Sequence, residues 1–281
     1  MPELPEVETI RLGLQKYLVG HKIESVEVKV PKLFEGAPKD IVGARVTDVR
    51  RFGKGLVIDL SNGKSLAIHI KLTGQLIFRD EKTSKLPVSE EKVGTLPSTA
   101  THIIFHLDKG ATLYYNDRRR FGWIRVVNTS KVSEIPFFKN MGPEPFKDLT
   151  LEVFENLIKR SNTAIKPYIM DQTRIGGIGN IYANDALWLS DIDPRRKAKT
   201  LTSAEIKKLY DAVLSVMEKS LKFGGASELN FVNVLGQEGS YQNHSLVYGR
   251  EGQKCQKNDG GTIKKFFLGG RGTYCCEEHQ K

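Results

Sequence analysis

The sequence predicts an α+β fold with a β-rich N-terminal domain, a helical domain and a small terminal hairpin. Three observations support this class. Alternating or wholly apolar stretches, typical of short strands, occupy residues 22–127. After "MGPEP" at 141–145, which has the composition of a linker, apolar residues recur at helical spacing instead. From Tyr248 onwards the chain is basic and glycine-rich, which is typical of a hairpin.

Within the β-rich part, the elements follow from local patterns. Apolar residues at helical spacing between Glu6 and Leu18 predict an N-terminal helix, with Pro5 in its first turn. Asn62-Gly63 and Lys109-Gly110 predict hairpin turns between strands. The polar segment 81–98 contains two prolines, so we expect a long mobile loop there.

The helical part has four candidate helices and one capping signal. Thr202 and Glu205 have the spacing of a capping box, which predicts the start of the longest helix. The segment 224–243 carries Gly, Asn and Ser throughout, so we expect a second mobile loop. The candidate helices are "LTLEVFENLIKRS", "AIKPYIMDQ", "NIYANDALWLS" and "TSAEIKKLYDAVLSVMEKSLKF".

Composition narrows the class of partner. The 281 residues carry a formal charge of +10 and have a pI near 9.4, which favours a polyanion such as DNA. The sequence has neither a long apolar run nor an export signal, so we expect a cytoplasmic protein without membrane contact. All three cysteines lie in the last 27 residues, where an odd number favours a local metal site over a disulfide framework.

The N-terminal residues suggest nucleophilic chemistry. Removal of Met1 would leave Pro2 with a free secondary amine, whose neutral fraction at pH 7 exceeds that of lysine by a factor on the order of hundreds. A secondary amine that condenses with a sugar aldehyde carbon gives an iminium ion that cannot lose a nitrogen proton. That cation remains an electron sink and favours β-elimination. Glu3 and Glu6 could transfer protons nearby, or serve as ordinary acidic residues of a first helical turn.

Motifs along almost the whole chain resemble the formamidopyrimidine-DNA glycosylases, bacterial enzymes that excise oxidised purines. The resemblance implies a two-layered β-sandwich, a helix-two-turn-helix domain and a zinc finger. The expected domains are a catalytic sandwich at 1–130, a linker at 131–147, a helical DNA-binding domain with a base-covering loop at 148–243, and the hairpin at 244–281. The matching motifs are "PELPEVET", "RRFGKGLVIDL", "HIKLTGQL", "NDRRRFGW", "MGPEP", "IKPYIMDQ", "GGIGNIYANDALWLS", "VYGREGQKC" and "GGRGTY".

The resemblance assigns catalytic roles to four residues. Pro2 matches the family's Schiff-base nucleophile, and Glu3 matches its acid. Lys54 in "FGKG" matches the lysine that assists β-elimination, although by itself it is typical of a surface hairpin. Arg271 in "GGRGTY" matches the arginine that grips the phosphates of the damaged nucleotide and assists δ-elimination.

Five further residues match DNA contacts of the family. Phe121 and Arg119 correspond to the aromatic wedge and to the arginine that faces the orphaned base. Wedging offsets the unstacking cost of base extrusion, a few kcal/mol. Leu72 occupies the place of a third wedge residue, usually methionine. Asn180 matches a phosphate-binding asparagine, and Lys166 is a weaker phosphate candidate.

The terminal hairpin departs from the family's four-cysteine zinc set. Cys255 and Cys276 match two ligands, and His279 occupies the place of the last one. Asn258 stands where the second cysteine is expected, but Asp259 follows it, so these residues form a candidate tetrahedral zinc site. The alternative is a hairpin without metal that is held by its aromatic residues, namely Phe266, Phe267 and Tyr274.

Together these matches predict a monomeric, nucleoid-associated enzyme of DNA base-excision repair. It would remove oxidised purines such as 8-oxoguanine and formamidopyrimidines, and cut the strand by β,δ-elimination. One alternative is an enzyme of the endonuclease VIII branch, which takes oxidised pyrimidines. Another is a protein that binds damaged double-stranded DNA without cutting it. Pro2, Glu3 and Lys54 argue against the binder, because mere binding needs none of them.

Overall fold

The computed structural model describes the whole chain, Met1–Lys281, as two compact units. Met1–Asn140 and Leu221–Gln242 form the first unit, and Met141–Ser220 and Asn243–Lys281 form the second. The helices are α1 (Leu4–Tyr17), α2 (Pro136–Lys139), α3 (Leu151–Lys159), α4 (Ile165–Ile169), α5 (Asn180–Leu189) and α6 (Ser203–Lys222). The strands are β1 (Ile23–Val28), β2 (Phe34–Glu35), β3 (Val46–Phe52), β4 (Gly55–Leu60), β5 (Lys64–His69), β6 (Gly74–Arg79), β7 (Thr101–Leu107), β8 (Thr112–Asp117), β9 (Trp123–Asn128), β10 (Lys264–Leu268) and β11 (Arg271–Cys275).

The first unit is a sandwich of two sheets. One sheet has the strand order β1-β7-β8-β6, and the other has the order β2-β9-β5-β4-β3. All neighbours pair antiparallel except β2 and β9. The core lies between the sheets and includes the apolar side of α1, with Ile10 and Leu14 fully buried. The predicted N-terminal helix, two-layered sandwich and α+β class are confirmed.

Both predicted hairpin turns are present in the first unit. Gly63, between β4 and β5, has a φ of 77°, a value that glycine adopts without steric cost. Lys109 and Gly110 both have positive φ in the tight connection between β7 and β8. A third hairpin joins β3 to β4, where Phe52 pairs with Gly55 across the turn that carries Lys54.

The two segments expected to be mobile loops each bury several side chains, although 81–98 is exposed over most of its length. In 81–98, Thr83, Lys92 and Val93 are buried. In 224–243, Phe231 belongs to the core of the sandwich. This second segment therefore packs within the first unit, whereas the sequence had grouped it with the helical domain. A few apolar side chains hidden in glycine-rich sequence explain the difference, because burying them offsets the cost of ordering the chain.

The second unit contains helices α3 to α6 and the terminal hairpin, as the sequence predicts. The capping box of α6 is present: the main-chain N–H of Thr202 donates to Glu205 Oε2 at 2.8 Å, and Thr202 Oγ1 accepts from the Glu205 N–H at 3.3 Å. The hairpin joins β10 to β11 through Gly269 and Gly270, both with positive φ. None of the helices is both long enough and apolar enough to cross a bilayer.

Candidate active site

The N-terminal residues are fixed by the start of α1. Pro2 is buried, and Glu3 is the N-cap residue, with 3% of its surface exposed. The Glu3 N–H donates to Glu6 Oε2 at 2.7 Å, while Glu6 Oε1 accepts from the Ala226 N–H at 2.8 Å. Glu6 thus acts as a buried structural carboxylate. Glu3 is the acid directly beside Pro2, at the positive end of the helix.

The β3–β4 hairpin brings Lys54 into the same unit in a buried position. Lys54 is 4% exposed, so the surface-lysine alternative is wrong. Arg51, in the same hairpin, donates from Nε to Glu8 Oε2 at 2.8 Å and so ties the hairpin to α1. Burial raises the pKa of Glu8, but hydrogen bonds from Arg11 and Arg51 outweigh this effect and the net pKa is lowered. The ion pair therefore persists at neutral pH.

A neutral histidine, which the sequence did not single out, accompanies Lys54. His69 is buried against Phe137, with ring centroids 4.5 Å apart at 82°. Burial, together with the positive charges of Lys71 and Lys54, lowers its pKa to about 3. The His69 Nδ1 accepts from the Lys71 N–H at 2.9 Å, so the proton of the neutral ring is on Nε2. Near Lys54 the site thus has a hydrogen-bond donor that adds no charge.

The predicted wedge lies on a turn built around one buried carboxylate. Phe121 is 58% exposed, unusual for a large apolar residue, and the Arg119 guanidinium lies 4.8 Å from its ring centroid. Asp117 is fully buried and accepts from the main-chain N–H groups of Arg119 at 3.2 Å and Gly122 at 2.8 Å. The turn is therefore fixed from beneath, while the aromatic ring and the cation face outwards.

Leu72 is joined to this turn through its neighbour. Leu72 is half-buried, and Thr73 beside it donates its hydroxyl to Asp117. The same hydroxyl accepts from the Arg119 N–H at 3.0 Å. The three predicted wedge residues, Leu72, Arg119 and Phe121, thus share one hydrogen-bonded support. The sequence signal for Asp117 was only its place at the start of "DRRRFG".

In the second unit, the two phosphate candidates meet at the terminal hairpin. Lys166 is fully buried, and its Nζ donates to Gly272 O at 2.9 Å and to Thr273 Oγ1 at 2.8 Å. Asn180, the first residue of α5, donates from Nδ2 to Gly272 O at 3.1 Å. Arg271, which precedes Gly272, is exposed at the start of β11. Lys166 and Asn180 therefore support the strand that presents Arg271.

Four side chains of the terminal segment form a cluster that could hold a metal. One ligand atom from each of Cys255, Asp259, Cys276 and His279 lies within 4.8 Å of all the others. Cys255 Sγ lies 3.8 Å from His279 Nδ1, and Cys276 Sγ lies 3.4 Å from Asp259 Oδ2. Tetrahedral zinc with N, O and S ligands places its donor atoms about 3.3–3.8 Å apart. The two distances to sulfur fall in this range, whereas His279 Nδ1 and Asp259 Oδ2, 2.5 Å apart, are hydrogen-bonded and would separate if an ion were bound. The donor types fit a divalent ion such as zinc.

The aromatic residues of the packing alternative differ in their burial. Phe267 is 76% exposed, whereas Tyr274 packs on the apolar cluster that contains Trp188, Cys255 and Cys276. A Cβ atom built at Gly261 would lie only 2.3 Å from Cys276 Sγ, so the chain closes tightly around this sulfur.

The hairpin is anchored to α5 by a residue that the sequence did not single out. Asp185 is fully buried, and its carboxylate accepts from the main-chain N–H groups of Leu246, Val247 and Tyr248 at 3.0–3.1 Å. Asn184 accepts from the Tyr274 N–H at 2.8 Å. These contacts explain why polar residues interrupt the helical pattern in "NIYANDALWLS".

Comparisons with known proteins cover both units. A family model for the formamidopyrimidine-DNA glycosylase N-terminal domain matches residues 1–124, and one for the H2TH domain of the same enzymes matches 141–231. Formamidopyrimidine-DNA glycosylase of Pelotomaculum thermopropionicum is 38% identical over 100% of this chain and 99% of its own length. A mutant of the Lactococcus lactis Fpg, in complex with Fapy-dG-containing DNA, superposes with a TM-score of 0.88 at 32% identity over the full length of both chains. The Lactococcus lactis Fpg bound to abasic-site DNA gives a TM-score of 0.87 at 32% identity over 99% of both chains.

Proposed function

The chain belongs to the formamidopyrimidine-DNA glycosylase family, and we infer that it excises oxidised purines from DNA and then cuts the strand at the abasic site. Its partner is double-stranded DNA with oxidised bases or abasic sites. The observation that carries this inference is the full-length match together with a buried Pro2-Glu3 pair at the start of α1.

We propose that Pro2, once Met1 is removed, attacks C1′ of the damaged nucleotide. The nitrogen lone pair forms the new bond, the glycosidic bond breaks with its electrons leaving on the base, and the N–H proton of the resulting ammonium passes to the departing base. Glu3 donates a proton to the sugar ring oxygen as the ring opens, which leaves a protein–DNA iminium ion. A low-dielectric surrounding favours this step, because little water competes for the amine.

Strand cleavage then follows by two eliminations. Loss of a C2′ proton lets the 3′ phosphate leave with the C3′–O electrons, and loss of a C4′ proton lets the 5′ phosphate leave in the same way. In the first elimination, Lys54 is proposed either to accept the C2′ proton or to bind the departing 3′ phosphate. Arg271 is the proposed partner of the phosphates, which it neutralises as charge develops on them.

The remaining proposed roles concern the duplex. Phe121 and Leu72 would fill the space left by the extruded nucleotide, with Arg119 facing the unpaired base. Asn180 would bind phosphate directly, and Lys166, which is fully buried, would act through the hairpin strand that it supports.

We further propose that Cys255, Asp259, Cys276 and His279 bind one zinc ion. Their spacing and donor types support this choice, since Cys, His and Asp are all zinc ligands. The ion would contribute folding free energy to the hairpin and so fix the strand that carries Arg271.

Borohydride trapping on abasic-site DNA tests the central proposal. We expect a covalent adduct whose DNA-bearing peptide begins at Pro2. We expect the Pro2→Glu variant to give no adduct, because a large second residue prevents removal of Met1. A wild-type adduct mapped to a lysine would contradict the role of Pro2. If the protein formed no adduct and cut no DNA, only the alternative of a lesion-binding protein would remain. If it excised oxidised pyrimidines faster than oxidised purines, the result would favour the endonuclease VIII branch.

A further inference from the structure

The segment 224–243, called the strap below, is fastened at its start to the nucleophile's own helix. The Ala226 N–H donates to Glu6 Oε1 at 2.8 Å, and Glu6 Oε2 accepts from the Glu3 N–H at 2.7 Å. A Cβ atom at Gly225 would lie 3.1 Å from Glu6, so this part of the strap packs tightly on that carboxylate. One side chain therefore links the strap to the residue beside Pro2.

The middle of the strap is held by a buried amide. Gln75 is 3% exposed, and its Nε2 donates to Asn230 O at 2.8 Å and to Lys92 O at 3.1 Å. Its Oε1 accepts from Asn116 Nδ2 at 3.2 Å. Asn116 directly precedes Asp117, which supports the wedge turn. Gln75 thus joins three segments that are distant in sequence: the strap, the 81–98 segment and the strand leading to the wedge.

The end of the strap is held by an ion pair. Lys92, only 8% exposed, donates its ammonium to Glu238, and Ser89 Oγ donates to the other oxygen of that carboxylate at 2.6 Å. The Ser89 N–H also donates to Gly236 O at 2.8 Å. The unexpected packing of 81–98 therefore has a specific result, because this segment supplies the groups that hold the strap.

The tip of the strap is exposed, unlike the parts of the strap that are hydrogen-bonded to Glu6, Gln75 and Lys92. Leu229 is 55% exposed, and it lies between Ala226, bound to Glu6, and Asn230, bound to Gln75. An exposed leucine flanked by fixed main-chain atoms can contact an apolar or flat group with little further ordering cost. The geometry suits a surface that meets an extruded base.

We propose that Gln75 and the Lys92–Glu238 pair are positioning residues that hold the strap over Pro2 and thereby set the rate at which an intact oxidised base is excised. This inference rests on the proposed function and on the expectation, from the family resemblance, of a base-covering loop within 148–243. Release of the strap would break the Lys92–Glu238 pair and the hydrogen bond from Gln75 to Asn230, so the unfastened arrangement lacks these contacts. An abasic nucleotide has no base to cover, so strand cutting at a preformed abasic site should not depend on the strap.

The test compares single-turnover excision of 8-oxoguanine from a duplex with cutting of the same duplex carrying a preformed abasic site. We expect Gln75→Leu and Glu238→Lys each to slow excision about tenfold, and to change abasic-site cutting less than about twofold. The matched control, Glu134→Lys, breaks an exposed ion pair with Lys131 and should change neither rate.

Charge exchange separates positioning from simple loss of stability. Lys92→Glu alone should slow excision, and the double variant Lys92→Glu/Glu238→Lys should recover most of the wild-type rate, because the pair is restored with its signs exchanged. Equal slowing on both substrates, no slowing in Gln75→Leu, or no recovery in a folded double variant would each overturn the proposal. Failure of the proposed function would look different, since the wild-type protein itself would then fail to excise 8-oxoguanine, whether or not it cut the abasic site.

Discussion

The residues around Pro2 and those around Arg271 are held in place by different means. Around Pro2, buried carboxylates accept main-chain hydrogen bonds, as Glu6 does from Glu3 and Ala226. Around Arg271, buried side chains such as Lys166 support the main chain of β11, and a mixed set of possible metal ligands lies on both sides of the β10–β11 hairpin in sequence. The first arrangement depends on the fold alone. The second, as we propose it, also depends on a bound ion.

This difference has a chemical consequence. In the first unit, His69 has a pKa of about 3 and therefore stays neutral near pH 7. Substitutions around Pro2 should change the reaction rates without changing the metal content of the protein. Substitutions in the hairpin should change the affinity for DNA and the metal content together.

Replacing Lys54 should give the largest effect and sharpen the contrast. We expect Lys54→Met to slow β-elimination by about 100-fold, on a duplex with an intact oxidised purine and on one with a preformed abasic site alike, because one proton-transfer or charge-stabilising group is lost. The Schiff base should still be trappable on both substrates. The exposed Lys39→Met is the control. Unchanged rates on both substrates would remove Lys54 from the mechanism.

A smaller effect is expected from the wedge. Phe121→Ala should slow excision of a paired lesion about 30-fold. The free energy of unstacking the base, about a few kcal/mol, would no longer be offset by an inserted aromatic ring. Excision from a duplex with a mismatch at the lesion should suffer less. Phe121→Trp keeps an aromatic ring beside Arg119 and should retain most activity. Equal losses for Ala and Trp would contradict a wedging role.

Metal removal tests the other side of the comparison. Purified protein should contain about one zinc ion per chain, and chelation should weaken DNA binding about tenfold. Asp259→Ala should lower the zinc content measured by elemental analysis, while Glu277→Gln, a nearby acid outside the cluster, should not. Fully active protein with no zinc would show that side chains alone hold the hairpin.

The smallest effect concerns stability of the second unit. Glu205 accepts hydrogen bonds from Arg196 and from Thr202, which lower its pKa from 4.5 to about 2. Because the folded pKa is depressed, this stabilisation is present above about pH 4.5 and is lost as the pH falls towards 2.

We expect Glu205→Gln to cost about 1 kcal/mol of unfolding free energy at pH 7, since the group is partly exposed. The cost should vanish near pH 2 in urea titrations. Asp211→Asn on the same helix, which breaks an exposed pair with Lys207, should cost less. A Glu205 effect that persists unchanged at low pH would exclude the charge as its cause.

Local signals in the sequence predicted the elements well. The period of apolar residues, the glycine turns and the Thr202–Glu205 capping box all correspond to observed features. The sequence failed where packing is decided by distant partners. Nothing in the polar 81–98 segment indicates that Lys92 meets Glu238, a residue 146 positions away.

The residues of the site also fall into some that the sequence could predict and some that it could not. Pro2, Lys54, Phe121 and Arg271 lie in motifs that could be recognised directly. The residues that support them, such as Asp117, could not, because a buried carboxylate is identified only by the main-chain groups that surround it. Those groups come together only once the strands have paired.

Gly122 limits how the wedge turn can change by mutation. A Cβ atom there would lie 2.0 Å from the Tyr115 hydroxyl, so no side chain fits while that hydroxyl is present. Tyr115→Phe would remove only the nearest of these contacts, because the Cβ atom would still lie 2.9 Å from the main-chain oxygen of His69. Position 122 is therefore closed to side chains by the main chain itself, and no single substitution of a neighbouring side chain reopens it.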